Sequence, residues 1–270
     1  MPRLPAPPLP KILKPKPGKP GENGQNGSAL DPVEAGITAV DWIDERTSLS
    51  PGIRWLLFRK VPRGINWYYT LGSATLFAFL NQAVTGVFLA MYYNPSVTGG
   101  AYESIRNIND NVFAGQLVHG MHKWGASVMI ILIFLHMARV FFYGAYKYPR
   151  ELTWVIGVTL LILTLAMGFT GYLLPFDQRS YWATIVGVNI NGTGPLIGPF
   201  LSDFLRAGPE FGATTLSRFY AIHMLLVPGA IAALIGAHLY LVTKLGITAP
   251  PWLKPEEDDP VVRELEEARV

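Results

Sequence analysis

The sequence predicts an all-α membrane protein built as a four-transmembrane-helix bundle, and three observations support that fold class. Half of the 270 residues are hydrophobic and 15% are charged, a composition too apolar for an ordinary soluble domain. Four apolar segments each hold roughly 20 residues or more, enough to cross a ~30 Å hydrocarbon core. Two of these segments carry pairs of histidines, which are costly inside a bilayer unless they have partners.

The chain before the first apolar segment divides into two parts. Residues 1–32 are rich in Pro, Gly and Lys and have too few apolar side chains to form a core, so we predict a disordered extension. It lacks the apolar stretch of a signal peptide, and the internal helices are expected to drive membrane insertion. Residues 33–65 place apolar side chains at three- and four-residue intervals from Val33 to Ile43, which predicts an amphipathic helix on the cytoplasmic membrane surface.

Residues 66–250 are predicted to form the four-helix domain, followed by a polar tail, 251–270. Tyr and Trp cluster at the ends of the apolar segments, as they do at membrane interfaces. The connection between the third and fourth segments contains SYWATIVGV and PFLSDFLRAG, which predict short surface helices. The predicted spans are 67–93, 114–143, 152–174 and 216–245.

The distribution of Lys and Arg predicts the orientation of the bundle. Basic residues precede the first span and lie between the second and third, whereas the other connections mix basic with acidic residues. Both termini are therefore expected to be cytoplasmic, in a multi-pass protein of a bacterial-type plasma membrane. The second and fourth spans then run in the same direction, from the outer to the inner face.

These two parallel spans carry histidines at nearly equal intervals. His122 and His136 are 14 residues apart, and His223 and His238 are 15 apart. At ~1.5 Å and ~100° per residue, 14 residues cover about 21 Å, and the angular offsets are about 40° and 60°. His122 should therefore be level with His223 near the outer face. By the same argument His136 should be level with His238 near the inner face.

Paired histidines at two levels indicate metal ligation. A lone buried histidine is more often hydrogen-bonded to a neighbouring helix, but four in matched pairs are not explained in that way. Zinc is disfavoured because each level offers only two ligands and the chain has no cysteine. A haem takes two axial ligands on opposite faces of a flat ring, so we predict two b-type haems enclosed by the bundle. Bis-histidine ligation leaves no open iron position, which favours electron transfer.

Four glycines repeat the histidine interval in the other two spans. We interpret them as clearance for the flat macrocycles, with ordinary small-residue helix packing as the alternative. The glycines are Gly72 and Gly86 in the first span, and Gly157 and Gly171 in the third.

The haem propionates need cationic or hydrogen-bonding partners near the two levels. His119 is too close to His122 along one helix to be the opposite ligand, so we interpret it as a propionate contact or a structural contact. The propionate candidates are Lys123, Arg139, Arg218 and His119.

Several motifs together resemble cytochrome b of the cytochrome bc complexes. They are HGMHKWGAS, LHMAR, PRELTWVIGV, GFTGYLLPFDQRSYWA, TLSRFYAIHMLLVP and AHLYLVTKLGI, and the similarity covers about residues 41–250. The 15-residue interval, and an end soon after the fourth span, are similar to the short, split cytochrome b of photosynthetic bf and menaquinol-oxidising complexes. The resemblance therefore implies a separate subunit that carries the remaining cytochrome b helices.

The resemblance also implies the reaction of a quinol:cytochrome c (or similar acceptor) oxidoreductase in a respiratory or photosynthetic chain. Quinol would be oxidised near the outer face, with one electron passing to a Rieske iron–sulfur protein and a c-type cytochrome. The other would cross to quinone at the inner face, coupled to proton translocation. A dimeric complex is implied, and no nucleic acid partner is expected.

Individual residues take roles from the same resemblance. His122 and His223 would hold a lower-potential outer haem, and His136 and His238 a higher-potential inner haem. The segment 171–183 would line part of the outer quinol pocket, and no residue is assigned a catalytic role. The quinol-site candidates are Phe176, Tyr181 and Trp182.

Two positions depart from the family pattern. Split cytochromes b often carry a cysteine that attaches an extra haem, but this chain has Thr70 there. Covalent attachment is therefore ruled out, whereas a non-covalent extra haem near Thr70 is not. The usual Trp after the proline of the outer-site motif is Phe176, which keeps an aromatic ring and loses an indole donor.

Two other functions stay open on the sequence alone. A di-haem b membrane anchor of a formate dehydrogenase or hydrogenase would also carry paired histidines, and a non-haem transporter could use buried histidines in a proton relay. Matched intervals on parallel helices, and the long connection with surface helices, favour the cytochrome bc interpretation over both.

Overall fold

The computed structural model describes residues 32–47, 50, 53, 61–62 and 64–252. The predicted extension lies outside the described residues except for its last position, and the polar tail does so from residue 253. The chain divides into two compact units, 1–59 and 60–270. In the first unit the predicted helix is present as α1, Pro32–Thr47, and its apolar Ile37 and Trp42 are exposed.

Every regular element described in the second unit is helical, in agreement with the predicted all-α fold class. A 3₁₀ turn precedes the first long helix, and a π-helical turn lies within the last span. In chain order the elements are the 3₁₀ turn Trp67–Thr70, α2 Leu71–Ala90, α3 Gly100–Asp110, α4 Gly115–Phe142, α5 Glu151–Tyr172, α6 Gln178–Gly192, α7 Gly198–Arg206, α8 Ala213–Ala221, the π turn Ile222–Leu226 and α9 Val227–Leu245.

Four stretches of the described chain are long and apolar enough to cross a membrane, which confirms the four predicted spans. They are Trp67–Ala90, Gly115–Phe142, Glu151–Tyr172 and Ala213–Leu245. Large apolar side chains on them remain exposed, including Phe77 at 75% and Leu225 at 77%. Such side chains suit a hydrocarbon surrounding, in which helices satisfy their own backbone hydrogen bonds.

The four spans pack mainly as two pairs, α2 with α4 and α5 with α9. Ala78, Met129 and Ile133 form a buried cluster in the first pair, with Leu161 of α5 against it. A larger apolar cluster lies at one end of the bundle, where α3, α6 and α7 are found. It contains Ala101, Leu173, Val188, Leu205, Leu216 and Phe219. The two histidine-bearing spans therefore belong to different pairs and meet between them.

The surface helix α3 is absent from the sequence-based prediction, whereas α6 and α7 were both expected. Its residues are mostly polar, and only Ala101, Ser104 and Ile108 are buried, at three- and four-residue spacing. That spacing is the signal that could have revealed it. Its last turn packs so closely on the start of α4 that a Cβ at Gly115 would overlap the carbonyl of Ile108.

Tyr93 connects the first span to the third at the same end of the bundle. Its hydroxyl donates to the carbonyl of Leu174 at 2.6 Å, and its ring stacks on Tyr220 with centroids 5.4 Å apart. Burial, followed by the neighbouring Tyr220, raises the pKa of the Tyr93 phenol. The hydroxyl is therefore a protonated donor at neutral pH.

At the opposite end, Arg150 connects the third span to the fourth. Its Nη2 donates to the carbonyl of Leu245 at 3.1 Å and its Nε to the carbonyl of Gly246 at 3.3 Å. The last carbonyls of a helix have no partners within it and carry partial negative charge. The Arg150 guanidinium therefore caps the C-terminus of α9 and links it to the start of α5.

Replacing Arg150 with methionine is expected to destabilise the bundle by about 1.5–3 kcal/mol, the range for hydrogen bonds that involve a charged donor. The loss should appear as a lower melting temperature of the purified protein in detergent. Arg150→Lys should retain part of the stability because an ammonium reaches one carbonyl. The exposed Lys147 supplies the control, and an equal loss in Lys147→Met would contradict the assignment.

Candidate functional site

His122 of α4 and His223 of the π turn come together between the two helix pairs. Their ring centroids are 6.4 Å apart and their planes are inclined by 75°. Metal–imidazole bonds are about 2 Å long, and each ring centroid lies roughly 1 Å beyond its nitrogen, so opposite ligands of one metal have centroids about 6 Å apart. We call this pair the first level. Its geometry suits two axial ligands on one metal ion.

Hydrogen bonds determine which nitrogen of each first-level histidine is available. His122 Nδ1 lies 2.8 Å from Thr85 Oγ1, and the Thr85 hydroxyl donates to the carbonyl of Asn81 at 2.6 Å. The Thr85 hydroxyl has a single proton, which this bond uses. Thr85 Oγ1 must therefore accept a hydrogen bond from His122 Nδ1–H. His223 Nδ1 lies 3.0 Å from the carbonyl of Met167, which can only accept. Both rings therefore present an unprotonated Nε2, the form that binds a metal.

The second level consists of His136 and His238, which are close enough to interact electrostatically. Nδ1 of each ring is buried and has no complete hydrogen bond among the described residues. The Thr153 backbone interacts with the His238 ring, but without the geometry of a full hydrogen bond. The two levels thus offer the same donor set and differ in what holds the rings.

Each of the four predicted glycines faces a different histidine. A Cβ at Gly72 would lie 3.0 Å from His136 Cε1, and one at Gly86 would lie 3.2 Å from His122 Cε1. On the other pair, a Cβ at Gly157 would lie 3.5 Å from His238 Cε1, and one at Gly171 would overlap the His223 ring. The glycine interval matches the histidine interval because each glycine makes room for one imidazole. Their contact with a macrocycle stays a prediction.

The π turn explains why intervals of 14 and 15 residues serve the same purpose. Within it the N–H of Val227 bonds to the carbonyl of Ile222, five residues earlier. A π turn absorbs one extra residue, so 15 residues here rotate about as far as 14 in a regular α-helix. This turn was not predicted from the sequence. Pro228, which lacks an N–H and follows His223 by five residues, is the signal that could have revealed it.

Arg139 is the propionate candidate with unsatisfied bonding capacity. Its guanidinium lies 4.2 Å over the Tyr69 ring and 5.9 Å from the Tyr143 ring centroid. Its Nε and the Tyr69 hydroxyl are buried without a hydrogen-bond partner among the described residues, as is the hydroxyl of Thr248. Tyr69 and Thr248 were not predicted from the sequence, because only the fold brings Tyr69 beside Arg139 and Thr248 beside Tyr69.

The other propionate candidates have different surroundings. His119 Nδ1 lies 2.9 Å from Asn109 Oδ1 of α3, the structural contact that was its alternative role. Arg218 donates to the carbonyl of Phe204 and lies 5.1 Å from that ring, so it is directed toward α7. Lys123 is exposed.

The three quinol-site candidates form one aromatic group at the start of α6. Phe176 and Tyr181 have centroids 5.7 Å apart at 82°, and Tyr181 and Trp182 are 5.2 Å apart at 87°. The backbone at Phe176 is left-handed, with φ of 50°, and Asp177 caps α6 by accepting from the N–H of Ser180. Trp182 is exposed and donates to Gln178.

Thr70 lies at an open groove of about 490 Å³ between α2 and α4. Its hydroxyl donates to the carbonyl of Trp67 at 2.6 Å. Most of the lining is apolar, including Ala74, Phe77 and Leu132. An extra haem at this position stays a prediction.

A b-type haem fits the residues at each level. Two imidazoles approach from different helix pairs, and the glycines beside them carry no side chain. The half-buried Arg139 lies one turn from His136, and its Nε is unpaired within the described part of the chain. Among the described residues, no three His, Asp or Glu side chains converge on one point. The donor set is therefore two nitrogens per level, as axial ligation of a flat ring requires.

Comparison with known proteins places the chain among cytochromes b. Residues 57–246 match the family described as Cytochrome b/b6/petB. The menaquinol:cytochrome c reductase cytochrome b subunit of Geobacillus thermodenitrificans is 43% identical over 218 residues, covering 78% of this chain and 97% of that protein. The cytochrome b6 of Heliobacterium modesticaldum is 41% identical over 216 residues, covering 78% of this chain and all of that protein.

A solved structure is also similar. A chain of a hyperthermophilic respiratory Complex III has a TM-score of 0.73 and 31% sequence identity, and the similarity covers 85% of this chain. It covers 63% of the other chain, so the present chain spans just under two thirds of that protein's length.

Proposed function

The chain belongs to the cytochrome b family, and we propose that it is the di-haem cytochrome b subunit of a quinol:cytochrome c oxidoreductase. The relative that is 43% identical is the cytochrome b subunit of a menaquinol:cytochrome c reductase, and the relative that is 41% identical is a cytochrome b6. The observation that carries the proposal is the first-level pair, His122 and His223, whose rings are spaced for axial ligation of one metal.

The proposed haem sites assign each residue a distinct task. His122 and His223 would hold one haem iron, and His136 and His238 would hold the other. Thr85 and Met167 hold the first-level rings in the metal-binding tautomer. Arg139 neutralises a propionate beside the second level, in a position stabilised by the Tyr69 ring. When bound, the haems supply one-electron carriers at two depths of the membrane.

We place the first level near the outer face, with both termini cytoplasmic, in a bacterial-type plasma membrane. This orientation follows from the distribution of basic residues. Quinol is oxidised beside the first level, where Phe176, Tyr181 and Trp182 form the aromatic group, and quinone is reduced beside the second. Protons are released outside and taken up inside, so that the reaction stores energy across the membrane.

The partners of this subunit follow from the same proposal. A Rieske iron–sulfur protein and a c-type cytochrome accept electrons from quinol, and a separate subunit carries the remaining cytochrome b helices. The complex is a dimer. The exposed apolar surfaces of the four spans contact lipid and these neighbouring helices.

The test is a count of haems in the purified protein. We expect two b-type haems per chain in a reduced-minus-oxidised spectrum, and two separate waves in a redox titration. Added naphthoquinol should reduce them. The absence of a b-type absorption band would contradict the proposal. If haem is present but quinol cannot reduce it, the proposal would hold only for haem binding.

A further inference from the structure

The residue that precedes each glycine differs between the two levels. At the first level both glycines follow a threonine, as Thr85–Gly86 and Thr170–Gly171. At the second level they follow apolar residues, as Leu71–Gly72 and Ile156–Gly157. Because each glycine brings its helix backbone against an imidazole, the preceding side chain is placed near the edge of the same ring. The chain therefore puts hydroxyls beside one pair of histidines only.

The two threonines are buried and oriented as acceptors. Thr85 is 4% exposed and Thr170 is 3% exposed. Thr85 Oγ1 lies 2.8 Å from His122 Nδ1, and Thr170 Oγ1 lies 3.3 Å from His223 Nδ1. The Thr170 hydroxyl donates within its own helix, to the carbonyl of Ala166 at 2.9 Å, as Thr85 does to Asn81. Both hydroxyl protons are thus directed away from the imidazoles.

The second level has no threonine hydroxyl beside either histidine among the described residues, and the Thr153 backbone interacts with the His238 ring without a complete hydrogen bond. Nδ1 of His136 and Nδ1 of His238 are both buried without a complete hydrogen bond among the described residues. Leu71 and Ile156 offer no polar atom to fill that position. The difference between the levels is therefore in the hydrogen bonds around equivalent ligands, with the ligands themselves unchanged.

An acceptor on Nδ1–H increases the basicity of the metal-binding Nε2. A more basic ligand stabilises the more positive, oxidised iron and so lowers its reduction potential. We propose that Thr85, assisted by Thr170, sets the reduction potential of the first-level haem below that of the second. This inference rests on the proposed function, in which the lower potential on the quinol-oxidising side makes electron transfer toward the second level favourable.

The two hydroxyls should contribute unequally. His223 Nδ1 has the carbonyl of Met167 at 3.0 Å in addition to Thr170, so it keeps an acceptor when Thr170 is replaced. Thr85 is the acceptor of His122 Nδ1. Thr85→Val, which preserves the shape and removes the oxygen, should therefore have the larger effect.

The experiment is a redox titration of the purified complex, with the two haems followed separately by their absorption bands. Thr85→Val should raise the first-level midpoint potential by about 59 mV, which corresponds to a tenfold shift in a one-electron equilibrium. Thr170→Val should raise it by less, and Thr85→Ser, which keeps the oxygen, should restore the native value. The second-level wave should not move in any of the three.

Thr164→Val is the matched control. Thr164 is also a buried threonine of a spanning helix, 5% exposed, and its hydroxyl donates to the carbonyl of Leu160 at 2.8 Å. Unlike Thr85 and Thr170, it has no hydrogen bond to a histidine among the described residues. Its replacement should leave both potentials unchanged. The reverse change, Leu71→Thr, places a hydroxyl beside His136 and should lower the second-level potential.

Three outcomes would overturn the inference. They are an unmoved first-level potential in the Thr85→Val, Thr170→Val double variant, equal shifts of both waves, and a shift of the same size in Thr164→Val. The proposed function fails in a different way, because a native protein without two haem waves, or with waves that quinol does not reach, would remove its premise before any variant is compared.

Discussion

Replacing His136 with leucine is expected to remove the second-level haem and leave the first in place. Leucine has a similar volume to histidine but supplies no metal ligand, so the iron would keep only His238. Loss of a hydrogen bond to a ligand already costs about 10–100-fold in metal affinity, and loss of the ligand itself should cost more. Quinol:cytochrome c activity should fall on the order of 100-fold, because the route to the second side is interrupted.

The measurement is the haem count and the redox titration of the purified variant. One b-type haem per chain and a single wave at the lower potential are expected. His122→Leu should give the complementary result, with the higher wave retained. His119→Leu is the control, because His119 bonds to Asn109 and lies outside both pairs. Retention of both haems in His136→Leu, or loss of one in His119→Leu, would contradict the pairing.

The fold could be predicted closely because membrane spans depend on local composition. Twenty or so consecutive apolar residues have few alternatives to a spanning helix, and the bounds differ by no more than three residues from those observed. The juxtaposition of His122 and His223 also followed from the sequence. The second and fourth of four consecutive spans run in the same direction, and nearly equal intervals on two parallel helices allow both pairs to align.

The elements that were not predicted from the sequence are those that depend on tertiary structure. Helix α3 is largely polar, and it forms against the start of α4 and the core beneath it. The π turn depends on how Pro228 is accommodated in a packed helix, and local helix propensities do not predict that accommodation. Likewise, the sequence suggested four propionate candidates, and only the fold distinguishes Arg139 from Arg218. Arg139 Nε has no partner in the described part of the chain, whereas Arg218 donates to the carbonyl of Phe204 in α7.

The four glycines show both what the sequence can predict about this site and what only the structure reveals. Their 14-residue interval is visible in the sequence and equals the interval between His122 and His136. The sequence could not show that the imidazole itself fills the space, since that depends on the distance between paired helices. The threonines before Gly86 and Gly171 are visible in the sequence too, but they acquire meaning only when the structure places their oxygens beside Nδ1.

Replacing Gly171 with alanine is the second change with a large expected effect. The new Cβ would overlap the His223 ring, and that ring is held in place by Met167 and Thr170. Either α5 moves away from the π turn or the ring leaves its position. Overpacking of a tight site costs about 1–3 kcal/mol, and a displaced ring can no longer share a metal with His122. We expect loss of the first-level haem, measured as loss of the lower-potential wave.

Gly157→Ala is the internal control at the second level. Its Cβ would meet His238 at 3.5 Å, an ordinary contact, and Gly236→Ala would meet nothing within 4 Å. Haem loss should therefore be greatest for alanine at Gly171. It should be smaller at Gly72 and Gly86, where the Cβ would lie 3.0 and 3.2 Å from an imidazole carbon, and smallest at Gly157 and Gly236. If alanine at Gly157 removed its haem as readily as alanine at Gly171, the clearance would belong to the macrocycle and not to the imidazole. The substitution series thus separates two explanations that share the same spacing in the sequence.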